Sequence, residues 1–155
     1  MAQMLNRIRK FLTAPEPKMT RRDDLQIAVA VLLVEAARMD DEFSGSERAA
    51  IERLLAGKFK LSPGETHQLL GIAETTAEKS HQLHPFTRLA VERMGRERRL
   101  RLIEMLWEVA YSDGSLDAQE DHLLRRVGGL IHVSDADRVA ARQRVLERLA
   151  RGNAP

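Results

Sequence analysis

The stretch that decides the fold is Asp23-Asp24-Leu25-Gln26-Ile27-Ala28-Val29-Ala30-Val31-Leu32-Leu33-Val34-Glu35-Ala36-Ala37-Arg38-Met39. It contains no glycine or proline, and between Leu25 and Val34 only Gln26 interrupts the apolar run. A strand of this length would be exceptional, and strict period-two alternation is absent, so the segment reads as a helix buried on nearly all sides. Such a helix has to be enclosed by other helices, and the rest of the chain must supply them.

The flanking sequence does so. After an acidic turn at 40–44, a helix with Ile51, Leu54 and Leu55 on its core face runs from Gly45 to about Ala56. Ser62-Pro63-Gly64-Glu65 is a capping box with proline at the first helical position, and it starts a helix that continues to about Ser80. His84-Pro85 reads as a break. A short helix follows around Phe86, Leu89, Ala90 and Met94, with Gly95 as its end. A second long apolar helix spans about Glu97 to Ser112, then a turn, a helix from Ala118 to about Leu130, and a last one begun by Ser134-x-x-Asp137 and ending near Arg151. Met4, Leu5, Ile8, Phe11 and Leu12 form one face of a short N-terminal helix with Arg7, Arg9 and Lys10 outside that stripe, and Pro15 and Pro17 mark a linker. The expected architecture is all-α, with seven to eight helices. Residues 1–22 form an N-terminal amphipathic helix and linker, and 23–151 a helical domain.

That domain reads as a duplication. Glu35 and Glu108 stand 73 residues apart, and in the same register Leu33 meets Leu106, Ala37 meets Ala110, Asp40 meets Asp113, Glu47 meets Glu120 and Arg53 meets Arg126. After a one-residue gap, Leu61-Ser62 meets Val133-Ser134 and Glu65 meets Asp137. The halves, roughly 23–80 and 96–151, are expected to be duplicated helix pairs related by a pseudo-twofold axis. Neither half closes its own core, so the two long helices should pack on one another.

Composition narrows the function classes. The 155 residues contain no cysteine, which excludes disulfides, thiolate metal sites and a cysteine nucleophile. Net charge is +2 and aromatic content 4%, which argues against a nucleic acid-binding surface, above all one built on base stacking. Only five of the 25 basic residues are lysine, a bias that suits a solvated surface or carboxylate and phosphate recognition by guanidinium forks. No run approaches the roughly 20 apolar residues of a membrane helix, and the N-terminus lacks a signal-peptide pattern, so a cytoplasmic protein is expected. The basic N-terminal helix would suit the inner membrane face or a partner protein. Arg96, Arg98, Arg99 and Arg101 form a basic run that reads as a solvated helix start or a contact for an anionic partner.

The two turns carry the chemistry. The first reads Asp40-Asp41-Glu42-Phe43-Ser44-Gly45-Ser46-Glu47, the second Asp113-Gly114-Ser115-Leu116-Asp117-Ala118-Gln119-Glu120. In each, an aspartate ends one helix and a glutamate lies in the first turn of the next. Aspartate at a helix C-terminus faces the negative end of the macrodipole, at a cost of about 0.3–1 kcal/mol that a hard cation would offset. The same residues also form helix caps: Ser44-x-x-Glu47 is a capping box and Asp117-x-x-Glu120 a near variant. Neither turn is an EF-hand. With Gly45 as that loop's glycine, Ile51 falls where a bidentate glutamate is required, and with Gly114, Val109 falls at the first ligand position. Elsewhere, His81-x-x-His84 lacks a third ligand, His67, His122 and His132 are isolated, and no nucleophile elbow or phosphate loop occurs.

Ala37-Arg38-Met39-Asp40-Asp41 with Glu47, and Ala110-Tyr111-Ser112-Asp113-Gly114 with Glu120, together resemble the tellurite-resistance B (TerB-like) family. The resemblance covers about Asp23 to Leu149. It implies an all-α fold of pseudo-twofold halves, a divalent cation held by Asp40, Glu47, Asp113 and Glu120, and an association with tellurite and chemical-stress resistance; a protein partner is expected besides. Asp41 stands where the pattern has glycine. An oxygen-only ligand set favours calcium or magnesium over zinc. The reading is therefore a non-enzymatic, cation-binding scaffold. The alternatives are a metal-dependent hydrolase using the acidic cluster and an adaptor that binds anionic membrane through the N-terminal helix.

Overall fold

In the computed structural model, residues 21–38, 45–80, 82–112 and 118–152 are described. The expected N-terminal helix, the turn residues 40–44 and 113–117, and His81 lie outside them. Among the described residues there are seven helices and no strand: α1 (Arg21–Ala37), α2 (Gly45–Phe59), α3 (Pro63–Lys79), α4 (His84–Arg93), α5 (Arg96–Ala110), α6 (Ala118–Leu130) and α7 (Asp135–Gly152).

Helix α1 is the buried centre. Every side chain from Leu25 to Val34 is buried, Gln26 included, and Ala36 and Ala37 follow. It is enclosed by α2, α3, α4, α5 and α6. Helix α5 repeats this: all residues from Leu102 to Ala110 are buried, with Trp107 among the largest fully enclosed side chains. The two apolar helices pack on one another, as expected of halves that each lack a closed core.

The helix contacts fall into matched sets. α1 on α3 corresponds to α5 on α7, α1 on α2 to α5 on α6, α2 on α3 to α6 on α7, and the crossed contact of α2 with α5 to that of α6 with α1. Matched sets of this kind are what a twofold relation between the halves requires. Arg53 of α2 reaches Glu108 of α5 at 3.6 Å, and their sequence counterparts Arg126 and Glu35 line one common cavity. α4, which has no counterpart, joins the halves and packs on α1 and α6.

Local signals set most boundaries. The Ser62 capping box is formed in both directions: Glu65 N–H donates to Ser62 Oγ at 3.1 Å, and Ser62 N–H donates to Glu65 Oε1 at 2.9 Å. Ser134 Oγ accepts from Asp137 N–H at 3.1 Å at the corresponding start of α7. Three boundaries differ from the sequence reading. His84-Pro85 begins α4 rather than breaking the chain, because proline in the first turn gives up no helical hydrogen bond. Gly95 is the N-cap of α5 and Met94 the C-cap of α4. α2 continues to Phe59, whose ring joins the core.

The ends of α2 and α6 share one device. Leu61 N–H donates to Ala56 C=O at 3.1 Å and Val133 N–H to Gly128 C=O at 2.8 Å, closing a six-to-one turn in each half. The residue inside each turn is left-handed: Lys60 at φ 54° and His132 at φ 61°. Glycine is the usual occupant, and a side chain there costs about 1–2 kcal/mol. Part of that cost would be offset by the greater freedom glycine gives the unfolded chain. Lys60→Gly and His132→Gly are each expected to raise stability by about 0.5–1 kcal/mol, or about 1–4 °C in melting midpoint. Paired thermal melts check this, and a lowered midpoint in both variants contradicts the turn assignment.

Candidate metal-binding turns

Of the four acidic residues singled out in the sequence, the described residues include two. Glu47 lies in the first turn of α2 and Glu120 in the first turn of α6. Each is only 2% exposed, and in each Oε2 is shut off from solvent. Two carboxylates at matched positions are thus withdrawn from water to the same degree. A carboxylate loses several kcal/mol of hydration in such a place unless dipoles or positive charge replace it. Both glutamates do make polar or electrostatic interactions, and each sits at the positive end of a helix macrodipole. Asp40, Asp113, Ser44 and Asp117 lie outside the described residues, and among those described no three histidine, aspartate or glutamate side chains gather as a metal cluster.

The histidines form no cluster among the described residues. His84 is the exposed first residue of α4, and His67, His122 and His132 are exposed on separate elements. His67 Nδ1 lies 4.0 Å from Glu52.

The structure also reveals carboxylates that the turn motif does not include. Glu104 and Glu108, one turn apart on α5, are 8% and 9% exposed. Arg148 of α7 bridges them, donating to Glu104 Oε1 at 2.7 Å and to Glu108 Oε1 at 2.6 Å. Arg144 donates to Glu104 Oε2 at 3.2 Å, and Arg101 to Glu104 Oε1 at 3.2 Å. The i,i+4 spacing of the two glutamates and the nearby Arg101 are visible in the sequence, but the α7 partners lie 40–44 residues away and only tertiary packing reveals them. Arg142 lies over the Trp107 and Tyr111 rings, and its Nε donates to the Tyr111 hydroxyl at 2.7 Å.

A cavity of about 310 Å³ lies against α1, the end of α3 and α6, with Glu35 and Arg38 on one wall and Arg126 on another. Glu35 pairs with Arg38 at 3.6 Å. Burial nevertheless raises its carboxyl above the ordinary 4.5, the Arg38 charge opposing this only in part.

The fold and the two matched glutamates define a class: an all-helical domain of two like-patterned helix units, each with a buried glutamate in the first turn of its second helix. Within that class the chain belongs to the TerB family, since the family described as Tellurite resistance protein TerB matches residues 26–143. No curated protein and no solved structure matches the chain. No described helix is long and apolar enough to cross a membrane.

The raised Glu35 value carries a pH signature. Between pH 4.5 and that value the folded state holds more protons than the unfolded one, so this group's contribution is favourable in acid and is lost as pH rises through the window. Glu35→Gln is therefore expected to melt above the parent at pH 7, with the difference narrowing as pH falls below 4.5. A pH series of thermal melts on both proteins reads it out. A difference that widens in acid means the Arg38 pair outweighs burial.

Proposed function

We propose that this protein is a non-enzymatic scaffold that binds a divalent cation at its acidic turns and, in the bound form, docks a protein partner in a tellurite or chemical-stress response. The observation that carries the reading is the matched pair Glu47 and Glu120, each almost fully buried with one carboxylate oxygen out of solvent. Family membership supports it, as does the donor chemistry. Carboxylates beside turn carbonyls are the ligands hard cations take, and the absence of cysteine leaves nothing for a soft one among thiolates. Asp40 and Glu47 would serve one turn, Asp113 and Glu120 the other, with calcium or magnesium as the ion. Helix capping by the same glutamates is compatible with this, since one oxygen can accept from a backbone N–H while the other faces an ion.

The test is a thermal melt of EDTA-stripped protein with calcium, magnesium, manganese and zinc in turn. A ligand present at 100 times its dissociation constant stabilises by about 2.7 kcal/mol, several degrees for a domain of this size. The expected result is a rise with one hard cation, abolished in Asp113→Asn/Glu120→Gln, while the metal-free double variant stays folded. No rise with any hard cation at millimolar concentration overturns the proposal. A double variant that unfolds without metal assigns Glu120 to capping, and Glu120→Gln alone then decides whether any cation response survives.

A further inference from the structure

A second charged feature lies where α2 of the first half meets α5 of the second. A groove of about 410 Å³ is lined there by Arg53, Leu54, Gly57 and Lys58 from α2 and by Arg101 and Met105 from α5. Its polar lining is entirely cationic, and Leu54 and Met105 form the apolar part. Lys58 is half-buried and makes no ion pair within 4.0 Å among the described residues. The nearby carboxylates are already engaged: Glu104 by Arg101, Arg144 and Arg148, and Glu108 by Arg53, Arg101 and Arg148. Of the three cations that line the groove, Arg53 and Arg101 are paired with Glu104 or Glu108, and Lys58 with no carboxylate among the described residues.

The cost of this crowding is visible at Lys58. Burial, together with the like charges of Arg98 and Arg101, pulls its ammonium below the ordinary 10.5. The ammonium lies 5.8 Å from the centre of the Phe59 ring, which offsets part of this cost, and an anion entering the accessible groove would offset more. Guanidinium forks with an adjacent ammonium are suited to a multiply charged oxyanion, whose oxygens can accept from several donors at once.

The geometry points to a phosphoryl-binding site in the α2–α5 groove, with Lys58, Arg53 and Arg101 as the donors, for a phosphate-bearing small molecule or the phosphate of a lipid headgroup. Arg101 shares its donors with Glu104, so Lys58 and Arg53 are the freer two. Leu54 and Met105 give the non-phosphoryl part of the ligand an apolar surface. The site does not depend on the cation at the acidic turns, so it is examined on EDTA-treated protein and stands or falls separately from the proposed function.

The experiment uses the full chain with inorganic pyrophosphate as probe, followed by calorimetry at constant physiological ionic strength to suppress diffuse attraction. Phosphatidylglycerol vesicles form a second arm and phosphatidylcholine vesicles their blank. The variants are Lys58→Gln and, as a control of equal charge change, Arg88→Gln on the exposed face of α4, whose side chain pairs with Glu92 among the described residues. Saturable binding is expected to weaken about tenfold or more in Lys58→Gln and to stay unchanged in Arg88→Gln. Without any anion, Lys58→Gln is expected to melt at or above the parent, because it removes the like-charge contact. A Lys58→Gln effect on pyrophosphate alone assigns the groove to a free phosphoryl compound, and an effect that includes the vesicles assigns it to a headgroup. Absence of saturable binding by the parent, or equal losses in the two variants, overturns the site.

Discussion

Everything in this structure depends on the need to bury α1 on all sides. A helix with one apolar stripe can rest on a single surface, but a helix apolar all round needs a neighbour in every direction. Each aliphatic side chain left in water would cost about 1.5–3 kcal/mol, and from Leu25 to Ala37 almost none is left there. Helices α2 and α3 from its own half cover only part of it. The remainder is closed by α4, by α5 and by α6 from beyond the midpoint of the chain. The second half has the same need on behalf of α5. Crossing α1 on α5 satisfies both needs at once, and so a chain with two repeats forms one core.

The two halves use this common frame differently. α3 seals against α1 with an aliphatic seam that includes Leu69, Leu70, Ile72, Ala73 and Ala77. α7, its counterpart, buries only Arg138, Ala141 and Val145 among its residues. It holds α5 through guanidiniums instead: Arg144 and Arg148 on Glu104 and Glu108, and Arg142 over Trp107 and Tyr111. Where the second half has Glu104 and Arg148, the repeat register places Val31 and Thr76 in the first. At these three positions arginine has a use that lysine lacks. A planar fork can bridge two carboxylates or stack on a ring, and an ammonium on a flexible stem does neither. Buried ion pairs add little net stability once desolvation is subtracted, so α7 gains from them mainly a defined position along α5.

The fold was legible because its strongest determinants are local or periodic. The all-round apolar runs, the Ser62 box and the register from Glu35 to Glu108 each act within a few residues or by simple repetition. The turns at Lys60 and His132 were not legible. Their left-handed backbone is imposed by the six-to-one hydrogen bonds of the packed helix ends, and neither side chain advertises it. His84-Pro85 misled for a related reason, since proline both ends and begins helices and only the neighbouring packing decides which. Of the candidate site, the spacing of the turns singles out Glu47 and Glu120 as caps or ligands, and the structure adds their burial. The arginine partners of Glu104 and Glu108 and the crowding at Lys58 arise from contacts across the fold, which a linear pattern does not encode.

Helix α2 carries both proposed sites, the buried Glu47 in its first turn and Lys58 in its last. That arrangement follows the macrodipole, with the acid at the positive end and the base at the negative end. At 1.5 Å per residue the two side chains are attached roughly 16 Å apart along the axis. This is about twice the screening length of about 8 Å at physiological salt. A cation at one end and a phosphoryl group at the other would therefore hardly sense each other's charge through solvent. Any coupling between them has to pass through α2 as a rigid body seated on α1, α3 and α5, all of which it touches. The α2–α5 contact is also the one that joins the halves through Arg53 and Glu108. A ligand that shifted α2 would alter the packing of one half on the other, which makes the relation between the halves, rather than either turn alone, the element through which ligand binding could reach a partner.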